Sequence, residues 1–313
     1  MRIALQMDPM ERVKRASDST FALGFAAQER GHTLWHYTPS EMTWQSGKLS
    51  ALARPLTLHA EGEKHFCFFD AKRINLADDV DVILLRQDPP FDMPYLTTTY
   101  LLDLVKEKVR VFNDPTGVRS APEKLLTTHF FHLIPPTLIS VERSEIRAFS
   151  AAHPDLVVKR LYGHAGNQVW HVKAGDSAFE DLLNKHFSAS QEPLLFQPFL
   201  PEVMQGDKRI ILFGGKPVGA VNRVPAKGEF RANFAQGGKG EACKLSPRDL
   251  EICAQIAPML KLMGLYFVGI DVIGPWLSEI NTTSPTGLVI INQLYGFEGE
   301  QRLEHLFWRK LGL

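Results

Sequence analysis

FVGIDVIGPWLSEINTTSPTG, residues 267–287, reads as a β-hairpin. Apolar residues alternate up to Ile273, Gly274-Pro275-Trp276 supplies a turn, and alternation resumes at Leu277. A three-residue turn sets Ile273 opposite Leu277, Asp271 opposite Glu279 and Ile270 opposite Ile280. Side chains alternate between the faces of a strand, so Val268, Ile270, Val272 and Ile280 then share the core face. Asp271, Glu279 and Asn281 share the other, which gathers three oxygen donors. Mg²⁺ is a hard ion that binds through one or two carboxylates plus substrate phosphates, and this set suits it. The same residues also read as a solvated acidic hairpin, and a two-residue turn would carry Asp271 to the opposite face.

A chain of 313 residues exceeds one average domain, so two or three packed units are expected. The apolar fraction of 44% is ample for their cores. Lys+Arg and Asp+Glu balance at 35 each, so no global field draws in nucleic acid or an anionic membrane. The 3 cysteines (Cys67, Cys243, Cys253) lack metal-ligand spacing, and an odd number fits a reducing compartment. MRIALQM is one short strand stopped at Asp8-Pro9, not a signal peptide. No apolar run reaches the roughly 18 residues of a membrane span. The expectation is a cytoplasmic globular protein that binds neither membrane nor nucleic acid.

A buried strand over 2–7, a helix over 19–30 capped by Asp18 or Ser19 and by Gly31, and a strand over 33–37 predict an open α/β sheet. Ligands of such sheets sit beyond the carboxyl ends of the strands. Met7-Asp8-Pro9 lies at one such end, and Arg86-Gln87-Asp88-Pro89-Pro90-Phe91-Asp92 follows another. Arg86 there is placed to fork a substrate carboxylate, or to tie a helix-entry loop. Residues 38–79 are mixed, with a hairpin at Gly47 and a strand over 65–69; 95–107 is helical and 110–112 a short strand. A helix is expected from Ala121-Pro122-Glu123 through Leu133, with Lys124 near its start, and the boundary between units 1–123 and 124–313 falls there.

Beyond it, Lys159 ends a strand that runs into Tyr162-Gly163-His164-Ala165-Gly166, a turn whose backbone N–H groups suit phosphate, though strand-lysine plus glycine turn is a common pattern. Leu194–Leu200 is a short apolar strand, and its exposed end could offer backbone groups to a purine edge or simply join a core. Residues 207–213 and 217–221 form a hairpin across Gly214-Gly215. AKGEFRANFAQGGKGE, residues 226–241, has neither helical nor strand period; so long a loop in a compact domain is usually functional or disordered. A helix spans 246–263, capped by Gly264.

Taken in order, these features resemble the ATP-grasp superfamily and, more closely, the prokaryotic glutathione synthetases. The resemblance runs from residue 7 to 287. It rests on Met7-Asp8-Pro9, Asp88-Pro89-Pro90-Phe91-Asp92, Glu123-Lys124-Leu125, Gly206-Asp207-Lys208-Arg209, Arg231-Ala232-Asn233 and Glu279-Ile280-Asn281-x-Thr283-Ser284-Pro285-Thr286-Gly287. It implies an α/β and α+β architecture: an N-terminal open α/β (pre-ATP-grasp) domain, then a two-lobed ATP-grasp domain. One lobe carries Lys124 and Lys159, and the other is catalytic with a lid over 226–241. The implied reaction joins γ-glutamylcysteine to glycine with ATP, through an acyl phosphate.

The resemblance also implies roles. Asp271, Glu279 and Asn281 hold Mg²⁺, for which Mn²⁺ can substitute, and Lys124 and Lys159 hold the phosphates. Arg209 and Arg223 act on the transferring phosphoryl group and the tetrahedral intermediate. Gly163, Gly166, Asp207, Arg231 and Asn233 border the nucleotide, with Gln197, Phe199 and Leu200 at the adenine. Arg86, Asp18, Ser19, Ser284 and Thr286 meet the peptide substrate, and assembly is as a homo-oligomer, commonly a tetramer. Rival readings are a ligase of this fold with another acyl or amine acceptor, or a catalytically impaired nucleotide-binding homologue.

This chain departs from the family pattern at two places. Arg160 follows the strand lysine where Pro is usual, and Ala165 and Ala232 replace glycines of the phosphate turn and the lid. His164, beside Ala165, is a candidate extra donor to phosphate or an ordinary solvated histidine.

Overall fold

Short apolar runs bounded by turn residues become the parallel strands of the N-terminal sheet. In the computed structural model, which describes residues 1–163 and 166–313, Arg2–Met7 pairs in parallel with Thr33–Tyr37 and with Val82–Arg86. Val82–Arg86 pairs in turn with Arg110–Phe112. The helix Ser19–Glu29 returns the chain between the first two strands; the Asp18 carboxylate accepts from the Phe21 N–H at 2.7 Å and caps it. The region 38–79 is organised by one long antiparallel strand, Lys48–Leu58, which pairs with Thr33–Tyr37, Met42–Gln45, Phe66–Phe68 and Lys72–Asn75.

Two antiparallel sheets follow. Val169–Lys173, Asp155–Arg160, Leu194–Pro198 and Leu138–Ser140 make a small four-stranded sheet backed by the helices Arg143–Ala152 and Ser177–Ala189. Its core is its own, built on Ile146, Leu156, Val158, Phe179, Leu183, Leu194 and Phe196. Lys239–Ala242, Lys216–Val224, Asp207–Phe213, Phe267–Ile273 and Trp276–Asn281 make the five-stranded sheet. This one shares its cores with the N-terminal sheet: Ile210, Val268 and Ile270 pack in one cluster with Ile83 and Leu85, and Ile211, Phe213 and Phe267 pack in another with Ile3 and Leu5. The C-terminal helix Leu303–Lys310 closes the second cluster, and the Trp308 indole N–H donates to the Leu23 carbonyl at 2.8 Å.

The hairpin register is the expected one, but the turn is not. Asp271 faces Glu279 and Ile270 faces Ile280, while Val272 faces Leu277 and Ile273 faces Trp276. The turn therefore contains only Gly274-Pro275, and a β-bulge absorbs Ser278 as the extra residue. The bulge restores the face that a two-residue turn alone would have reversed.

The helix expected over 121–133 is also corrected. Only a 3₁₀ segment, Leu126–Phe130, forms there, while Pro115–Arg119 is a short helix that sequence reasoning missed. Backbone groups are committed elsewhere: the Glu123 carbonyl accepts from the Ile280 N–H at 3.1 Å, and the Leu133 carbonyl accepts from the Leu277 N–H at 2.9 Å. Pairing with the hairpin edge takes at Glu123 an acceptor that an α-helix would need. The end of the 226–241 loop likewise differs from expectation, since Lys239–Ala242 adds to the sheet as an edge strand.

Asn113 fastens the N-terminal sheet to the hairpin. Only 5% exposed, its Oδ1 accepts from the N–H groups of Tyr266 and Phe267 at 2.8 Å each. Its Nδ2 donates to the carbonyls of Phe267 at 2.8 Å and Thr282 at 3.0 Å. Asn113→Asp would set a carboxylate oxygen against those two carbonyls, and is expected to lower the melting temperature by roughly 5–10 °C. Thermal unfolding by circular dichroism measures this; an unchanged midpoint would deny the side chain its fastening role.

Candidate functional site

Period-2 alternation puts Asp207, Arg209, Arg223, Asp271 and Glu279 of the five-stranded sheet on one face. Arg209 stands directly opposite Asp271 on the neighbouring strand, Asp207 opposite Arg223, and Asp271 opposite Glu279. Gly206 admits the chain to this row: at φ +130° it passes so close to Asn222 that a Cβ would come within 2.1 Å of the amide oxygen.

The Asp271 carboxylate lies at the centre. Its oxygens accept from Arg209 Nε at 2.5 Å and Nη2 at 3.0 Å, a bidentate fork, and Arg223 Nη2 is 3.0 Å from Oδ2. The same Arg223 nitrogen reaches Asp207 at 2.6 Å, and Asn281 Nδ2 donates to Asp271 at 3.2 Å. Burial pushes the Asp271 carboxyl up, but the charges of Arg209 and Arg223 outweigh this and hold it well below the usual carboxylate range. With its Nδ2 so committed, Asn281 has its amide oxygen left as a ligand atom.

Lys124 and Lys159 arrive from outside this sheet. Lys124 Nζ donates to the Gly163 carbonyl at 2.6 Å and is 3.4 Å from Glu279 Oε1. Lys159 is buried, and its Nζ donates to the Oγ of Ser278, the bulge residue, at 3.4 Å. Burial pulls the Lys159 ammonium below its ordinary value, with Glu279 opposing.

Two cavities meet here. One, of about 710 Å³, is lined by Lys159, Gly166, Asp207 and Asp271 together with Val157, Gln197, Phe199, Leu200, Phe230, Arg231, Ala232 and Asn233. Its aromatic wall is backed from outside, where His171 stacks on Phe199 at 4.0 Å. The loop expected as a lid already contributes to this wall, and Arg231 Nη1 donates to the Gly166 carbonyl at 3.4 Å. The other cavity, of about 870 Å³, is lined by Asp88, Glu123, Arg209, Arg223, Asn281, Thr283, Ser284 and Thr286. Glu279 and Asn233 belong to both walls.

Other expected site residues lie differently. Ser19 is fully buried, and its Oγ accepts from the N–H groups of Gly287 at 3.2 Å and Leu288 at 3.3 Å, so it caps the helix Leu288–Tyr295 instead of facing the cavity. Arg86 faces inward beneath the cavity: Nε donates to Thr20 Oγ1 and Nη2 to the Pro285 carbonyl, both at 2.9 Å, and its guanidinium lies over the Phe267 ring. It shapes the Ser284–Thr286 segment from below. Asp18 serves as the helix cap already described. His164 and Ala165 lie outside the described residues.

Glu123 was quoted in the sequence only as part of a motif, yet it lines the second cavity beside Glu279. Its carboxyl accepts from Thr283 Oγ1 at 2.8 Å. Burial and then the charge of Glu279 push it up to about 7. Two carboxyl groups close enough to repel, with the Asn281 oxygen on the same wall, form a donor set that fits a hard divalent cation. Asp271 joins that set only when its guanidinium partners turn to another anion.

The chain matches two family models, described as prokaryotic glutathione synthetase, N-terminal domain, over residues 1–119, and prokaryotic glutathione synthetase, ATP-grasp domain, over residues 123–296. It is 44% identical to a glutathione synthetase of Brucella melitensis over 308 residues, covering 98% of this chain and 97% of the relative. It is 47% identical to one from Bradyrhizobium diazoefficiens over 296 residues, covering 95% and 94%. Among solved structures, the D-cycloserine synthetase DcsG superposes with a TM-score of 0.69 at 14% identity, covering 99% of this chain and 100% of that one. The ATP-grasp ligase PsnB, complexed with a minimal precursor, gives 0.64 at 17%, covering 99% and 98%. At such identities these two establish the fold alone.

The raised Glu123 carboxyl has a consequence for the ligand-free protein. The folded chain keeps this proton up to about pH 7, whereas an ordinary glutamate releases it near 4.5, so stability falls as pH rises between the two. Glu123→Gln removes that loss. It is expected to raise the melting temperature relative to the parent at about pH 8, with the gap closing by about pH 5. Melting curves across that range check it; a gap independent of pH would mean that Glu123 takes up no proton on folding.

Proposed function

The chain belongs to the prokaryotic glutathione synthetase family, whose ATP-dependent ligases join γ-glutamylcysteine to glycine, and we propose that its two meeting cavities divide that reaction between them. The observation that carries this reading is the shared wall: Glu279 and Asn233 border both the cavity lined by Lys159 and Phe199 and its neighbour. A phosphoryl group bound in the first is thereby presented to a carboxylate bound in the second.

Adenine lies against Phe199 and Leu200 with Gln197 nearby, and Lys124 and Lys159 take the phosphates. Glu279, Asn281 and Asp271 would hold Mg²⁺, which neutralises charge on the transferring phosphoryl group. Arg209 and Arg223 exchange Asp271 for the incoming phosphate and carboxylate oxygens. A donor carboxylate oxygen then attacks the terminal phosphorus and ADP leaves; the glycine nitrogen attacks the acyl carbon, phosphate leaves, and the amine gives up a proton. Both guanidiniums face the oxygen that becomes negative in the second step. Phe230, Ala232 and Asn233 keep water off the acyl phosphate, which would otherwise hydrolyse.

Among the described residues no helix is long and apolar enough to cross a membrane, which suits the cytoplasmic site of action we infer. Homo-oligomerisation is part of the same reading: Met93, Tyr100 and Leu104 are exposed along one side of the helix Met93–Asp103 and its continuation.

ADP release is expected with γ-glutamylcysteine and glycine together, and a coupled assay with each omitted tests it. Glu279→Gln keeps side-chain size but removes one charge, and is expected to lower kcat about 100-fold or more with little change in melting temperature. Parental turnover with unchanged Mg²⁺ dependence would remove Glu279 from the metal site.

The loop gives a second test. Lys227 and Gly228 are exposed, and nothing lies within 4 Å of a Cβ built on Gly228. Trypsin is expected to cut the ligand-free protein near Lys227, and ATP, Mg²⁺ and γ-glutamylcysteine together to protect it. Cleavage indifferent to ligands would make 226–241 a fixed wall instead of a lid.

A further inference from the structure

The Asp88-Pro89-Pro90-Phe91-Asp92 motif has no part in the chemistry so far. Asp88 lies just past the carboxyl end of Val82–Arg86, where an open α/β sheet offers its crevice. It lines the second cavity, away from the Arg209–Asp271–Arg223 row, and is exposed to it. Its backbone N–H donates to the Asp8 carboxylate at 2.8 Å, which fixes the loop. The Ser284 side chain beside it favours the charged form.

What separates Asp88 from the other cavity aspartates is its lack of an ion-pair partner. Asp207 and Asp271 have cationic side chains within 3.0 Å, and Glu279 has Lys124 at 3.4 Å. Among the described residues no lysine, arginine or histidine comes within ion-pair distance of Asp88. Asp8 and Asp18 add negative charge around it, and the buried Arg86 acts against them. The cavity thus holds one carboxylate without a cationic partner, together with two guanidiniums that already have theirs.

We propose that the Asp88 carboxylate binds the primary ammonium of the acyl donor and so selects a zwitterionic γ-glutamyl group. The proposal rests on the ligase reading above. A γ-glutamyl donor carries its ammonium beside its α-carboxylate, remote from the reacting carboxylate; with the latter at Arg209 and Arg223, that ammonium is the group suited to the unpaired Asp88 of the same cavity. The acceptor amine does not fit this role, because it must lose a proton and attack beside the arginines.

The test compares γ-glutamylcysteine with glutarylcysteine, the same donor without the ammonium, in the parent and in Asp88→Asn. Asparagine keeps the size of the side chain and leaves the bond from the Asp88 N–H to Asp8 untouched, and a melting curve checks the fold. The parent is expected to favour the ammonium-bearing donor about 30-fold in kcat/KM, the scale of one charge-assisted hydrogen bond. Asp88→Asn should lose most of that preference through a higher KM for γ-glutamylcysteine, with KM for ATP and glycine unchanged. A variant that keeps the full preference, or whose KM rises for glycine instead, overturns the proposal. A parent that releases no ADP with either donor overturns the ligase reading itself, a different and recognisable failure.

Discussion

A carboxylate held between two guanidiniums sets the terms for the rest of the cleft. Asp271 is buried, and an unpaired charge at such depth costs several kcal/mol. Arg209 and Arg223 remove that cost, and Asp207 serves Arg223 in the same way. The pairs are cross-strand neighbours, so the sheet's own register builds them. Lys124 and Lys159 extend the same balance, with Glu279 as partner for the first and as a nearby charge for the second. The ligand-free cleft thus stores its cations against internal carboxylates. A polyanionic nucleotide with its metal ions substitutes one set of counter-charges for another, and no guanidinium need be stripped bare on the way.

The hydrophobic cores are divided differently from the chain. The five-stranded sheet packs both of its faces against elements of the N-terminal sheet, and Asn113 fastens the two by hydrogen bonds. The four-stranded sheet that carries Lys159 and the Gln197–Leu200 strand end has a core to itself. Cores are close-packed and resist partial rearrangement. This division lets the nucleotide side of the cleft shift as a body without repacking the wall that holds the arginines.

Much of this was legible in the sequence, for reasons that separate what was read well from what was not. Alternation with period two is a property of backbone geometry, so Glu279 and Asn281 could be read onto one face from spacing; Asp271 was set there by an expected three-residue turn, and it keeps that face through a shorter turn and a bulge. Turn length could not be read, because Ser278 in a bulge looks like any polar strand position. The helix expected after Ala121 failed for a tertiary reason: its carbonyls pair with a hairpin that lies about 150 residues further along. Lys239–Ala242 was hidden by Gly240 and by Gly237-Gly238 before it, which have no strand signature even where the backbone pairs. Ser19 and Arg86 were rightly placed at strand and helix ends, but the direction of a side chain depends on what packs above it. Glu123 was visible only as the neighbour of Lys124, since nothing local says that it will face Glu279.

The bulge also bears on how related chains are to be compared. Turn and bulge together hold a fixed number of residues between Asp271 and Glu279, and it is their sum that keeps both carboxylates on one face. A homologue could lengthen its turn by one residue and lose the bulge without moving either acid. Such a redistribution leaves the length between the acids unchanged, so an alignment would show it as substitutions within 274–278 and not as a gap. A single insertion or deletion there without its counterpart would turn one acid into the core, so selection should permit such changes only in compensating pairs.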